Sequence, residues 1–292
     1  MAWTQLRVQT AHAEFAEEIL LGQGALSVTL TDAADEPILE PGPGETPLWA
    51  VSVVTGLFGA DQDLDRVRAA LREMLPDGCD ARFDSDALDD ADWVRECLKH
   101  ARPMRFGERL WICPSNHRVD EPGAVVVKLD PGLAFGTGTH LTTAMCLRWL
   151  ADQPLDGVEL LDLGCGSGIL AVAALKLGAA GARGVDIDPQ AVQATMDNAA
   201  VNGVAERITA SLPADLEPRR FPVVVANILA NPLIELAPRI LDSLAPGGRL
   251  ALAGLLSGQV DAVRAAYAPR MELAPVERDG DWVCLAGQLA DT

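Results

Sequence analysis

Hydrophobic and polar positions follow two different patterns along this chain of 292 residues. In the first pattern, over residues 1–75, short apolar runs typical of strands are interrupted by two segments with apolar residues at helical spacing. The predicted strands are residues 3–8, 26–30 and 48–57, and the predicted helices are residues 11–21 and 64–75, the second behind the start signal Asp61/Asp63. We therefore expect a small α+β unit with two helices on one face of a sheet.

The second pattern begins at residue 158, where continuous apolar runs alternate with amphipathic segments. The predicted strands are residues 158–163, 182–187, 223–226 and 249–253, and the predicted helices are residues 169–177, 189–202, 232–244 and 257–268. Strands that are apolar throughout are buried on both faces, which indicates a doubly wound, mostly parallel sheet. Two final strands, residues 271–276 and 282–287, are separated by Asp279-Gly280 and predict a closing antiparallel hairpin.

The segment between the two patterns is acidic and poor in large apolar residues over residues 76–92. We interpret it as a linker or a solvated edge that leads into a connecting helix near residues 93–100. Short strands at residues 109–114 and 124–129 then precede a glycine-rich stretch, residues 130–140. The predicted domains are residues 1–80 and 103–292, with a linker at 81–102.

The net charge of −19 is unevenly distributed. Residues 1–100 carry 20 acidic and 7 basic side chains, whereas residues 101–292 carry 22 and 16. Such a field repels a phosphate backbone, so we expect no direct binding of nucleic acid. A basic protein would be attracted, although charge alone fits a merely solubilising role equally well.

Apolar runs, cysteines and histidines argue against membrane, secreted and metal-binding proteins. No apolar run reaches the roughly 18 to 20 residues that span a bilayer, and the first residues lack the pattern of a signal peptide, so we expect a cytoplasmic protein without membrane contact. The six cysteines contain no CxxC pair, and neither they nor the four histidines have metal-ligand spacing. We expect free thiols and no metal site.

A glycine loop, DLGCGSG at residues 162–168, follows the first strand of the second pattern. Its glycines permit positive φ and a close approach of a ligand, so Gly164 and Gly166 are candidate cofactor contacts. The spacing G-x-G-x-G differs from the G-x-G-x-x-G of dinucleotide-binding loops. Asp186, 18 residues beyond Gly168, ends the next strand and is placed to accept hydrogen bonds from ribose hydroxyls.

Carboxylates around a cavity without phosphate groups suit S-adenosylmethionine, which carries a sulfonium and an ammonium, better than NAD. Asp162 would place a carboxylate beside that cation. Asn227 follows the strand at 223–226, where its side-chain oxygen can accept a hydrogen bond from a substrate N–H and orient the nitrogen lone pair. Structural roles stay open: a helix N-cap for Asp188, and an N-cap or Asx turn for Asn227 and, more favourably, Asn231.

Five segments of the chain resemble bacterial ribosomal protein L11 methyltransferases. They are MRFGERLWICP (104–114), LDPGLAFGTGTH (129–140), DLGCGSGILAVAA (162–174), GVDIDP (184–189) and VVVANILA (223–230). Many methyltransferases share the glycine loop and its acidic partner, so the block LDPGLAFGTGTH carries most of the specificity. The resemblance covers the whole chain. Two departures from the family pattern are Leu141, where proline is usual, and Asn231, where glycine is common.

The resemblance implies an α/β fold in which an N-terminal ferredoxin-like substrate-recognition domain is joined to a class I S-adenosylmethionine-dependent methyltransferase domain. It implies methylation of lysine side chains and the N-terminal amine of ribosomal protein L11. Carried over by position, the cofactor contacts are Thr143, Gly164, Asp186 and Asn227.

Three further residues have open roles. Phe135 would shield the adenine or the substrate amine, or simply pack. His140 is a candidate base by proximity, although a capping role is favoured. Cys165 is expected to be structural, because methyl transfer to nitrogen needs no covalent enzyme intermediate.

Three other functions are weighed against this one. A lysine methyltransferase for another protein, such as an electron-transfer flavoprotein subunit, would share the fold but lack much of the MRFGERLWICP and TGTH context. A nucleotide-dependent dehydrogenase is disfavoured by the glycine spacing. A non-catalytic binding module would be indicated by a failure to bind S-adenosylmethionine.

Overall fold

The computed structural model describes residues 3–34, 48–76, 81–88, 101–130 and 138–291. The chain forms two compact units, Met1–Trp93 and Val94–Thr292. In the described part of the chain, no helix combines the length and the apolar composition needed to cross a membrane.

The first unit is a four-stranded antiparallel sheet with two helices packed on one face. Its elements are β1 (Trp3–Thr10), α1 (Ala13–Gly22), β2 (Ser27–Asp32), β3 (Ser52–Gly59), α2 (Leu64–Met74) and β4 (Arg82–Leu88). The strand order is β2-β3-β1-β4, which with this chain order is the ferredoxin-like arrangement. Alternate residues of β1 and β3, including Leu6 and Phe58, are fully buried against α1 and α2. Asp63 caps α2, accepting hydrogen bonds from the backbone N–H groups of Asp65 and Arg66, as the sequence predicts.

Part of the acidic stretch that we interpreted as a linker or a solvated edge, residues 82–88, forms strand β4 beside β1. The first unit therefore extends beyond the predicted boundary at residue 80. β4 is an edge strand of the sheet, and Phe83 packs on the core while Asp84 and Asp86 are exposed. Both aspartates pair with Arg7 of β1. An edge strand of this kind buries only every second side chain, so its exposed acidic residues masked the apolar pattern by which a strand is predicted. The predicted helix at residues 93–100 lies outside the described residues.

The second unit contains two sheets. A three-stranded sheet joins β5 (Met104–Phe106), β6 (Leu110–Cys113) and β7 (Val125–Lys128). The strands of the seven-stranded sheet are β8 (Glu159–Leu163), β9 (Gly181–Val185), β10 (Ile208–Ser211), β11 (Phe221–Asn227), β12 (Leu244–Leu256), β13 (Ala274–Asp279) and β14 (Trp282–Gln288). The helices of the unit are α3 (Leu141–Ala151), α4 (Ile169–Leu177), α5 (Pro189–Val201), α6 (Ala230–Glu235), α7 (Ala237–Asp242) and α8 (Val260–Tyr267).

The large sheet has the order β10-β9-β8-β11-β12-β14-β13. Neighbours from β10 to β12 are parallel, whereas β14 is antiparallel to both β12 and β13. Successive residues of a central strand face different cores: Leu160 joins the cluster with α3 and α4, and Leu161 joins the cluster with α6 and α8. This two-sided burial explains the continuous apolar strands, and the predicted fold class is confirmed.

Two predictions for this unit need correction. The helix predicted at 232–244 is two short helices, α6 and α7, separated at Leu236, because Pro238 has no N–H to continue the ladder. Asn231 lies inside α6, whose N-cap is Leu229, so the predicted capping role of Asn231 is wrong. Three elements, α3, β5 and β10, were not predicted from the sequence.

Candidate active site

The predicted site residues that the structure describes come together at one edge of the large sheet. Leu163 at the end of β8 pairs with Val185 of β9 on one side and with Ala226 of β11 on the other, so the three strands end at the same level. The chain from β8 continues on the β9 side and later returns on the β11 side. The edge between β8 and β11 is therefore the topological switch point, where ligands bind in sheets of this type.

The glycine loop after β8 is shaped by its own backbone. Gly164, Gly166 and Gly168 all have positive φ, at 72°, 53° and 76°. A Cβ on Gly164 would lie 2.1 Å from Cγ2 of Ile228, so no side chain fits there. The N–H of Gly166 donates to Oδ2 of Asp186 at 2.9 Å, which fastens the loop to the end of β9.

Two polar residues of α5, neither of them predicted as a site residue, donate hydrogen bonds to carbonyl oxygens of the loop. The Thr195 hydroxyl donates to the carbonyl oxygen of Gly166 at 3.1 Å. Nδ2 of Asn198 donates to the carbonyl oxygen of Ser167 at 2.8 Å. Thr195 is fully buried, and a polar side chain among the alanines of a predicted helix was the available signal.

Asp186 is held by two backbone groups. Besides Gly166, the N–H of Asp188 donates to its Oδ1 at 3.0 Å. Each oxygen keeps acceptor capacity, so the carboxylate is oriented and still able to bind hydroxyl groups. Asp188 itself caps α5 by accepting from Gln190 N–H at 2.8 Å, as predicted. Ile187, 85% exposed, presents an apolar surface next to Asp186 that the sequence analysis did not single out.

Asn227 ends β11 and contacts Thr143 of α3. Its Nδ2 donates to Oγ1 of Thr143 at 3.2 Å. Thr143 is buried and Asn227 is half-buried. Because the amide nitrogen is bound to Thr143, the amide oxygen is oriented away from it and remains an acceptor.

The start of α3 is built around His140, which has the favoured capping role. His140 is the N-cap residue, and its Nδ1 accepts from the N–H of Thr142 at 3.4 Å and lies 2.8 Å from Oγ1 of Thr142. Leu141 occupies the first helical position, where the family's proline would also be tolerated. The departure at Leu141 therefore leaves the helix start intact.

Asp162 lies at the base of the site rather than on its surface. Its side chain is fully buried, and Oδ2 accepts from the N–H of Ala171 in the first turn of α4 at 3.1 Å. Oδ1 has no hydrogen-bond partner among the described residues. Burial raises the pKa of Asp162 to about 7, the hydrogen bond from Ala171 opposes that rise, and the negative charge of Asp186 adds to it.

The remaining candidates carry less chemistry. Cys165 is buried, and desolvation raises the pKa of its thiol to about 12, which fits the expected structural role. Cys113, Cys146, Cys165 and Cys284, the cysteines within the described ranges, are free thiols. Phe135 lies outside the described residues.

The arrangement fits S-adenosylmethionine. Asp186 offers acceptors oriented by two backbone N–H groups, and the unpartnered Oδ1 of Asp162 is a buried acceptor that an ammonium group would satisfy. The sheet order, the switch point and the acidic group after β9 define a class I S-adenosylmethionine-dependent methyltransferase.

Comparison with known proteins narrows this class. A family model described as ribosomal protein L11 methyltransferase (PrmA) matches residues 2–290. The ribosomal protein L11 methyltransferase of Hahella chejuensis is 50% identical over 290 residues, covering 99% of each chain. That of Chromohalobacter salexigens is 52% identical over 297 residues, again covering 99% of each.

Among solved structures, a ribosomal protein L11 methylase from Lactobacillus delbrueckii subsp. bulgaricus matches with a TM-score of 0.60 and 31% identity. The match covers 65% of this chain and 100% of that one. This chain therefore belongs to the ribosomal protein L11 methyltransferase family, and it is an enzyme that uses S-adenosylmethionine as methyl donor. The predicted family and cofactor are confirmed.

Proposed function

We propose that this protein transfers methyl groups from S-adenosylmethionine to amino groups of ribosomal protein L11, both lysine side chains and the N-terminal amine. The observation that carries the proposal is the Asn227–Thr143 pair at the switch point, beside the glycine loop. The substrate follows from the name of the family, whose model matches residues 2–290. Such a substrate requires an enzyme of the cytoplasm, where ribosomal proteins are made.

The cofactor is bound by groups from several loops. Gly164 and Gly166 lie against it through their backbone, and Asp186 accepts hydrogen bonds from its ribose hydroxyls. The exposed side chain of Ile187 covers one face of the adenine, since an apolar surface beside Asp186 excludes water there. Phe135 remains a predicted shield of the adenine or the amine.

Two residues bind at the methionine end. Oδ1 of Asp162 accepts a hydrogen bond from the cofactor's ammonium, which supplies the partner that this buried oxygen lacks. Thr143 contacts the cofactor and fixes the amide of Asn227. When bound, S-adenosylmethionine supplies an electrophilic methyl group on a sulfonium.

Asn227 is the proposed catalytic residue. Its amide oxygen accepts a hydrogen bond from the substrate amine and directs the nitrogen lone pair at the methyl group. A lysine ammonium has no lone pair, and its reference pKa is about 10.4, so the amine must lose its proton before transfer. We assign that proton to water rather than to His140, whose Nδ1 is engaged at the start of α3.

The acidic first unit is the proposed docking site for L11. Residues 8–65 contain eleven Asp and Glu but no Lys or Arg. Within this stretch Glu14 and Glu18 of α1 are exposed and lie one turn apart, flanked by Phe15 and Leu21, which are 53% and 50% exposed. Two negative charges one turn apart, beside two exposed apolar side chains, form a face that is complementary to a basic protein.

A matched pair of variants tests the docking face. Phe15→Ser/Glu18→Gln on α1 and Met74→Ser/Glu73→Gln on α2 each remove one exposed apolar side chain and one negative charge. We expect the α1 pair to raise KM for L11 by about tenfold at unchanged kcat, since a docking contact contributes on the order of 1–2 kcal/mol. The α2 pair should change KM by less than about twofold. Equal KM values for the two pairs would exclude α1 as the docking face.

The function itself is tested with methyl-labelled S-adenosylmethionine. The full-length protein is incubated with purified L11 and, in parallel, with a ribosomal protein extract, and the labelled band and its modified amines are identified by mass spectrometry. Label on lysines and the N-terminal amine of L11 is the expected result. Label on another protein would identify that protein as the substrate in place of L11. A failure to bind S-adenosylmethionine would indicate a non-catalytic binding module.

A further inference from the structure

The closing hairpin β13–β14 packs along α3, the helix whose first turn carries Thr143. Near the site, the ring of Trp282 at the start of β14 meets the ring of His140 edge to face, with centroids 5.1 Å apart and an interplanar angle of 73°. Further along α3, Arg148 forms an ion pair with Glu277 of β13. The hairpin therefore contacts α3 at its beginning and again two turns later.

His140 links Trp282 to the site. One edge of its imidazole packs against Trp282, while Nδ1 bonds to the backbone and hydroxyl of Thr142 in the first turn of α3. The next residue is Thr143, which is 1% exposed and accepts the hydrogen bond of Asn227. A rotation of the His140 ring would release the cap and loosen the turn that holds Thr143.

We propose that Trp282 is a positioning residue of the cofactor site, acting through the ring of His140 on the first turn of α3. The inference rests on the proposed function in one respect, namely that Thr143 contacts the cofactor. The hairpin β13–β14 thereby has a role in cofactor binding, although β11 and β12 separate it in the sheet from β8 and the glycine loop.

The expected effect is on affinity rather than on turnover. Trp282→Leu keeps an apolar side chain packed against the core but removes the ring that contacts His140. The first turn of α3 then frays in the free enzyme, and its ordering opposes binding. We expect the Kd for S-adenosylmethionine, measured by titration calorimetry, to rise about three- to tenfold, as for the loss of a helix cap. At saturating cofactor, kcat should change by less than about twofold, because binding restores the turn.

A double-mutant cycle distinguishes an effect of Trp282 that passes through His140 from a general destabilisation of the protein. His140→Ala should weaken cofactor binding, and Trp282→Leu should add nothing in that background. His140→Asn supplies a new cap acceptor and should restore the affinity, with or without Trp282. Glu277→Gln, which breaks the distant ion pair, is the matched control and should leave the Kd unchanged.

Several outcomes would overturn the proposal: an unchanged Kd in Trp282→Leu, additive losses in the double variant, or no recovery in His140→Asn. If Trp282→Leu fails to fold, Trp282→Phe and Trp282→Met take its place. Phe keeps a ring against His140 and should retain the wild-type Kd, whereas Met should raise it; equal Kd values for the two would overturn the proposal. A wild-type enzyme that binds no S-adenosylmethionine would instead refute the proposed function, so the two failures are distinguishable.

Discussion

Replacement of Asn227 by alanine is expected to lower kcat for L11 methylation by at least about 10²-fold, because alignment of the attacking nitrogen is the main catalytic contribution of the site. The variant loses the amide oxygen that would orient the amine and the amide nitrogen that bonds to Thr143 at 3.2 Å. Single-turnover measurements with purified L11 and saturating cofactor would isolate the chemical step. The Kd for S-adenosylmethionine should change less, by under about tenfold, since Gly164 and Asp186 remain.

Thr143→Val and Asn231→Ala complete this test. Thr143→Val keeps the shape of the side chain but removes the oxygen that holds the Asn227 amide, so we expect a smaller loss of about tenfold. Asn231 is exposed in α6, four residues beyond Asn227, and its replacement by alanine should retain activity within about twofold. An Asn227→Ala enzyme with more than half of the wild-type kcat would remove Asn227 from the mechanism.

The sequence could predict elements whose ends carry their own signals. The bounds of α4 agree with the prediction to the residue, because Gly168 and Gly178 stand at its two caps. The hairpin β13–β14 was predicted from its turn, where Gly280 takes positive φ. β14 begins at the predicted residue 282, whereas the first strand was predicted at 271–276 and forms at Ala274–Asp279. In each case the signal is local and requires no knowledge of the partner strand.

Elements were not predicted where their apolar residues lack the periodic spacing of an amphipathic helix or a half-buried strand. α3 has seven buried residues among its eleven, so it is apolar on nearly every side and shows no amphipathic stripe. β10 is a short strand at the edge of the sheet, and only Ile208 is buried in it. In both, contacts from distant parts of the chain select the structure.

The candidate site was predictable in position but not in its internal contacts. Strand ends place Gly164, Asp186 and Asn227 at one edge, which is a rule of the fold. The bond from Asn227 to Thr143 joins residues 84 positions apart, and no local pattern encodes it. The burial of Asp162 under α4 was also not predictable, since a carboxylate at a strand end does not reveal how deeply the following helix covers it.

Asp162 should make the stability of the cofactor-free enzyme depend on pH. Burial raises its pKa to about 7, against a value of about 3.9 in the unfolded chain. Between these two pKa values the folded state binds more protons than the unfolded state. The contribution of Asp162 to the free energy of unfolding therefore falls as pH rises through this window, by roughly 4 kcal/mol at most. Urea unfolding between pH 4 and pH 8 would measure the slope. Asp162→Asn can still accept from Ala171 N–H but cannot ionise, so this component should vanish.

Cofactor binding should then release a proton. An ammonium beside Oδ1 of Asp162 stabilises the carboxylate and lowers its pKa, which reverses the effect of burial. The affinity for S-adenosylmethionine is therefore expected to rise between pH 5 and pH 7, by up to about tenfold per pH unit, and to level off above the pKa of the free enzyme. Calorimetry in buffers of different ionisation enthalpy would count the released proton. If wild type and Asp162→Asn show parallel affinity profiles, the ammonium binds elsewhere, and the buried carboxylate serves only to hold the first turn of α4.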